Sequence, residues 1–244
     1  DKTLKEPFES YSDMLPNDSA WATKIQYKNK EKELVPYTNC TAIENGWVWN
    51  IPLWSRIGTG YVYSSKFVDD DTALKEFKKH LGQEELEFKK IKMRVGIHNR
   101  LWVKNVIAIG LSAGFIEPLE SNGLFSVHEF LTHLIEVLKK PIPNEYSKQT
   151  FNVACRRMFK GFAEFVALHY ALSNRTDTEY WKDIHKRKYT IEEYNDQEAS
   201  DLQHSIISKM ELNKYNHVGG FHCVATGMGW FPISVERILY QQST

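Results

Sequence analysis

No charge of one sign dominates this chain. Lys and Arg total 31, and so do Asp and Glu. Nothing electrostatic therefore draws it to nucleic acid or to an anionic membrane surface. Cysteine is scarce: Cys40, Cys155 and Cys223 are the only three. An odd number at wide spacing, without C-x-x-C, argues against a disulfide framework and against zinc. Reduced thiols, a cytoplasmic setting and no metal centre are the expectations. No apolar run reaches the roughly 18 residues of a membrane span, and the first residues lack a signal-peptide pattern. The phosphate-loop, nucleophile-elbow and dinucleotide signatures (G-x-x-x-x-G-K-[ST], G-x-S-x-G and G-x-G-x-x-G) are missing. Gly227-Met228-Gly229 only begins like the last.

The 244 residues that remain to be explained, 42% of them hydrophobic, can bury a sizeable core as one large domain or two small ones. Trp21–Tyr27 alternates apolar and polar residues, as a half-buried strand does. Lys28–Leu34 is a charged turn, and Val35–Cys40 resumes an extended pattern. Thr41–Pro52 and Thr59–Ser65 are rich in Trp, Val, Ile and Tyr and read as strands, with turns at Glu44–Gly46 and Arg56–Gly58. Asp69–Leu81 reads as a helix, capped by Asp70 or Asp71 and stopped by Gly82. Glu87–Val95 alternates again. Leu101–Ile109 ends almost continuously apolar, which suits a strand buried on both faces.

A loop, Gly110–Gly123 (GLSAGFIEPLESNG), follows. Then come helical patterns at Leu124–Leu138 (apolar at 124, 127, 131, 134, 135 and 138), Ser147–Leu172 and Asp177–Lys186. Residues 190–215 are polar with weak helical spacing, and Gly219–Leu239 is rich in glycine and aromatics. The sequence thus predicts an α+β fold, an antiparallel sheet followed by a helical C-terminal region.

Small residues at Gly110, Ser112, Ala113 and Gly114 let backbone N–H groups approach a ligand, and a following helix N-terminus favours anions. A tight turn that needs glycine for packing explains them equally well. Within the loop, Glu117 and Glu120 lie three residues apart at a helix entrance. One can cap that helix, and the other can sit in a pocket as a proton acceptor. Trp47 and Trp49, two apart in Gly46–Pro52 (GWVWNIP), project from one face of a strand, and wall-building is their plainer meaning.

Other candidates are weaker. His128 and His133 stand five residues apart, about 140° round a helix, so they do not share a face. His217, His222 and Cys223 lack metal-ligand spacing. His169 lies on an apolar helix face, where a hydrogen-bonded core histidine is the commoner finding.

These segments resemble a known family. Gly46–Pro52 is similar to the G-W-x-W-x-I-P signature of the flavin-dependent tryptophan halogenases. Pro36-Tyr37-Thr38, Arg56, Gly58 and Gly60–Ser65 extend the likeness. Gly110–Gly123 resembles the family's G-L-S-A-G-F-x-E-P-L-E-S-T-G, and Phe165–Trp181 resembles a later helix. The resemblance is collinear over roughly residues 8–185 and implies part of a flavin-dependent monooxygenase-like fold. Residues 1–110 would form the substrate-side sheet and the last strand of the flavin-binding domain. Residues 111–244 would form the flavin and halide loop and the helical region.

The resemblance also implies an activity. Reduced FAD, supplied by a flavin reductase, would react with oxygen to a peroxide, and chloride or bromide would be converted to hypohalous acid. That acid would halogenate an electron-rich aromatic small molecule, indole- or phenol-like, with a lysine and a glutamate near the substrate. By position, Glu120 matches that catalytic glutamate, and Ser121 matches its substrate-side neighbour. Asn122 and Gly123 match the halide-binding Thr-Gly, with Asn122 departing from threonine. Leu111, Ser112, Ala113, Gly114, Phe115 and Pro118 match residues that border the flavin, while Trp47 and Trp49 would wall it off.

The dinucleotide motif and the catalytic lysine are absent, both expected upstream of Asp1, so this chain alone is not expected to halogenate. A hydroxylating flavin monooxygenase and a non-catalytic flavin-binding fragment are the alternatives. Homo-oligomerisation is left open, and Tyr215 and Trp230 could be pocket aromatics, although core packing is the plainer reading of each.

Overall fold

A computed structural model describes residues 3–139, 142–187, 223–224 and 226–229. The readings placed on Pro141, 190–215, His217, His222 and Trp230, and most of the Gly219–Leu239 tail, lie outside the described residues.

The sheet forms because its segments are rich in β-branched and aromatic residues, each of which finds a partner across the ladder. Its strands are β2 (Ser19–Ile25), β3 (Asn39–Ile43), β4 (Gly46–Leu53), β5 (Arg56–Tyr63) and β6 (Lys89–Lys92), in the antiparallel order β3-β4-β5-β2-β6. The charged turn after β2 contains a four-residue helix, α1 (Lys30–Glu33). Arg56–Gly58 is not a turn, because β5 starts at Arg56, paired to Leu53 of β4, and the reversal falls on Trp54 and Ser55.

Both faces of this sheet are covered. Val48, Tyr61 and Tyr63 project from one face onto Phe77 and Ala73 of α2 (Asp70–Leu81). The cap of α2 is Asp69, one residue earlier than predicted, because its carboxylate accepts from the Asp71 and Thr72 amides; Gly82 ends the helix at φ 63°. Trp47, Val62 and Ala20 project from the other face into the main core, which they share with α3 (Asn122–Leu138), α4 (Glu145–Ala171) and α5 (Glu179–Lys186).

A second, three-stranded sheet places the loop. Its strands are β1 (Phe8–Ser10), β7 (Gly96–His98) and β10 (Gly114–Phe115), with β7 in the middle. Between β7 and β10 the predicted long strand Leu101–Ile109 is instead a hairpin of β8 (Trp102–Val103) and β9 (Val106–Ile107). Lys104, at φ 55°, turns the chain there, and Val106 ends up exposed. The hairpin is fixed to α4 by Asn152, whose side-chain oxygen accepts from the Leu101 and Trp102 amides at 2.8 and 2.7 Å.

The helix after the loop also differs from expectation. Ser126, Phe130 and Val137 face inward, while Leu124, Leu131, Ile135 and Leu138 of the apolar stripe are exposed. Among the described residues no helix is long and apolar enough to cross a membrane.

One glycine is required by the tryptophan motif. Gly60 of β5 stands opposite Trp49 of β4, whose ring lies where a Cβ would be: an added methyl would meet ring carbons at 2.1 and 2.2 Å and the Trp21 carbonyl at 2.7 Å. Gly60→Ala is therefore predicted to displace the Trp49 indole and to cost about 1–3 kcal/mol. Thermal unfolding and tryptophan emission check this; an unchanged unfolding temperature with unchanged emission would show that the ring does not depend on the gap.

Candidate active site

The tryptophan motif and the loop meet at one carboxylate. Glu117 leads into a 3₁₀ turn, Pro118–Glu120, and its side chain is only 1% exposed. Its Oε2 accepts three hydrogen bonds: from the Trp47 indole N–H at 3.0 Å, the Tyr170 hydroxyl at 2.6 Å and the Asn17 amide at 2.8 Å. Asn17 also donates to the Tyr170 oxygen and accepts from Tyr180 at 3.0 Å. Strand, loop and α4 are thus bonded through one acid, and α5 is joined to it by way of Asn17. Trp47 is buried, and its ring centroid lies 6.1 Å from that of Trp49.

Burial pushes Glu117 above the ordinary carboxylate value, and the bonds from Tyr170, Trp47 and Asn17 oppose that rise. Burial likewise raises the Tyr170 hydroxyl far above its usual range, with the negative Glu117 adding to the effect. Tyr170 is therefore a donor throughout the working pH range.

Neither glutamate caps α3. Ser121, at φ 54°, separates the 3₁₀ turn from the helix, and no acidic residue lies in the first turn of α3. The carboxylates have other partners, supplied by adjacent residues of α4. Tyr170 bonds Glu117, and His169 Nε2 lies 2.8 Å from Glu120 Oε1. Glu120 is part-exposed, and its charge adds to burial in raising the nearby Cys40 thiol.

At the α3 N-terminus the first backbone N–H groups have no intrahelical acceptors, and the Ser121 side chain does not cap them. The Asn122 side-chain nitrogen is buried there without a partner among the described residues. Unclaimed donors at the start of a 17-residue helix suit a small anion, so this end of the loop fits a halide. Gly123 is exposed, with open space where a Cβ would stand.

The remaining loop residues divide into two sets. Leu111, Ser112 and Pro118 are exposed, and Phe115 is half-buried, so these can border a planar cofactor. Ala113 and Gly114 face inward. A Cβ on Gly114 would meet the Gly96 carbonyl oxygen at 2.4 Å, so this glycine serves strand packing. Ser112 closes its own turn, with its hydroxyl bonded to the Ile109 amide and carbonyl.

The model of one family, tryptophan halogenase, matches residues 1–244. The chain belongs to the tryptophan halogenase family. It is 42% identical over 192 residues to tryptophan 6-halogenase SttH of Streptomyces toxytricini, covering 76% of this chain and 36% of that protein. It is 34% identical to tryptophan 7-halogenase RebH of Lentzea aerocolonigenes, covering 95% of this chain and 46% of that protein. Among solved structures, VirX1 superposes with a TM-score of 0.85 at 39% identity, over 98% of this chain and 48% of that one. BrvH, a flavin-dependent halogenase from Brevundimonas sp. BAL3, gives a TM-score of 0.81 at 30% identity, over 95% of this chain and 47% of that one. The chain thus spans less than half the length of the relatives it matches. Structural neighbours in this family bear out the α+β reading.

Glu117 is the residue whose role the sequence reading left open, and Asn17, Tyr170 and Tyr180 were not singled out at all. Only one signal was available for any of them, an acid flanked by Phe115, Ile116 and Leu119. A raised acid holds its proton more tightly folded than unfolded. Its stabilising contribution is therefore full below the ordinary carboxylate value and is lost as pH rises through the folded value. Glu117→Gln does not titrate, so wild type is predicted to lose stability relative to this variant from about pH 4 upward. Paired thermal melts across that range check it; a constant difference would mean that Glu117 does not titrate there.

Proposed function

We propose that the protein carrying this chain is a flavin-dependent halogenase that chlorinates or brominates an electron-rich aromatic ring, indole- or phenol-like. One observation carries the reading: in a chain of this family, Glu120 and the uncapped, donor-rich start of α3 are two residues apart. This supports a reaction centre in which halide and substrate-side acid are neighbours.

In this reading Asn122 and Gly123 hold the halide through N–H donors. Ser121 faces the substrate, and Leu111, Ser112, Phe115 and Pro118, with the backbone at Ala113 and Gly114, border FAD. Reduced FAD, delivered by a flavin reductase, would supply the two electrons that activate oxygen, and oxygen would be the oxidant for the halide. Trp47, held by Glu117, and Trp49 wall the flavin side. Glu120 acts on the substrate side, as hydrogen-bond or proton acceptor. Functionally the chain divides near residue 110, into the substrate-side sheet before it and the flavin and halide loop with its helices after it. Tryptophan halogenases among the relatives support an indole as the first substrate to try. A cytoplasmic setting suits the reductase partner.

The test is the full-length protein with reduced FAD, oxygen, bromide and an indole substrate, with free hypohalous acid scavenged. The expected product is heavier by one bromine, and Glu120→Gln is predicted to slow its formation roughly a hundredfold or more with flavin still bound. Hydroxylated product alone would replace the reading with a monooxygenase. An unslowed Glu120→Gln enzyme would remove Glu120 from the chemistry.

A further inference from the structure

His169 reaches the loop from α4, and three contacts fix its ring. Its Nδ1 lies 3.1 Å from the Phe165 carbonyl oxygen, one helical turn back. The Phe165 ring packs edge-on against it, with centroids 5.5 Å apart and an interplanar angle of 71°. Its Nε2 lies 2.8 Å from Glu120 Oε1. A carbonyl oxygen only accepts, so Nδ1 carries a hydrogen. Were Nε2 then a bare lone pair facing a bare carboxylate oxygen, the two would repel; at 2.8 Å a hydrogen must lie between them.

Glu120 needs such a tether. It closes a three-residue 3₁₀ turn, the next residue is in the left-handed region, and its side chain is about one-third exposed, at 32%. A glutamate there has several rotamers open to it, and freezing one costs entropy unless a partner holds it. The bond to His169 commits Oε1 and leaves Oε2 as the oxygen that can meet a substrate. Tyr170, the next residue of α4, is held by buried Glu117, so the His169 tether stands next to a buried hydrogen-bonded pair.

We infer that His169 is a positioning residue for Glu120, presenting its carboxylate in one orientation to the aromatic substrate through the hydrogen between Nε2 and Oε1. The inference rests on the halogenase reading and on Glu120 taking part in the reaction. It adds a residue that itself need not touch substrate, flavin or halide.

The experiment compares steady-state bromination of indole by the full-length protein with reduced FAD, in wild type, His169→Phe, His169→Gln, His169→Asn, Glu120→Gln and the double variant Glu120→Gln/His169→Phe. His169→Phe is expected to lower kcat on the order of a hundredfold, the usual cost of a misplaced reacting group, with KM for indole and flavin affinity unchanged. His169→Gln, whose amide N–H can reach Glu120, should recover most of the rate, and the shorter His169→Asn should not. The double variant should be no slower than Glu120→Gln alone, because His169 acts only through that carboxylate.

A structural role alone would give independent, multiplicative losses and no recovery by Gln. Multiplicative losses, a wild-type rate in His169→Phe, or Gln no better than Asn would each overturn the inference while the enzyme reading stands. If His169→Phe does not fold, the Gln and Asn comparison decides. Wild type without brominated product would overturn the halogenase reading and the inference with it.

Discussion

Three donors converging on one buried oxygen hold this structure together. Glu117 is fully inside, where an isolated carboxylate is costly, and it is tolerated because an indole, a phenol and an amide all aim at Oε2. Those donors come from β4, from α4 and from the segment before β2. The acid itself belongs to the loop that ends in Glu120. Each of these elements is therefore tied to the loop by a hydrogen bond, inside an apolar core that packs around it. The further link from Tyr180 through Asn17 brings α5 into the same arrangement.

The same arrangement orders the site. Going along the loop, the chain passes from a buried acid to a part-exposed one in three residues and then, after Ser121, into a helix whose first donors have no partner among the described residues. The partners of the two acids are adjacent on α4, Tyr170 inward and His169 at the margin. The part-exposed Glu120 thus lies three residues from a carboxylate held by three hydrogen bonds. Beyond α4, Arg175 of the connection and Trp181 of α5 both donate to the Ile43 carbonyl at the end of β3.

Much of this was legible in the residues alone. The alternating aromatic strands, the Gly82 stop and the three long helices followed from periodicity and turn chemistry, and the shared face of Trp47 and Trp49 followed from strand geometry. What could not be read was partnership over distance. Asn17 is an ordinary polar residue in a Pro-flanked stretch, and its bonds reach residues 100 to 163 positions away. The long apolar run at Leu101–Ile109 misled because apolarity does not distinguish one buried strand from two short ones, and the Lys104 turn has no strong glycine or proline signal. The capping expectation for the glutamates failed for a backbone reason: one left-handed residue, Ser121, moved both out of the helix's first turn.

The convergence at Glu117 also constrains how such sequences can drift. Losing the acid orphans three donors at once, each buried and each costly to leave unbonded, whereas losing acid and donors together leaves nothing unpaired. Positions 17, 47, 117 and 170 are therefore coupled through one hydrogen-bond network. Across many related sequences they should change in concert or not at all, so that substitution at one of them marks a lineage whose inner wall has been rebuilt.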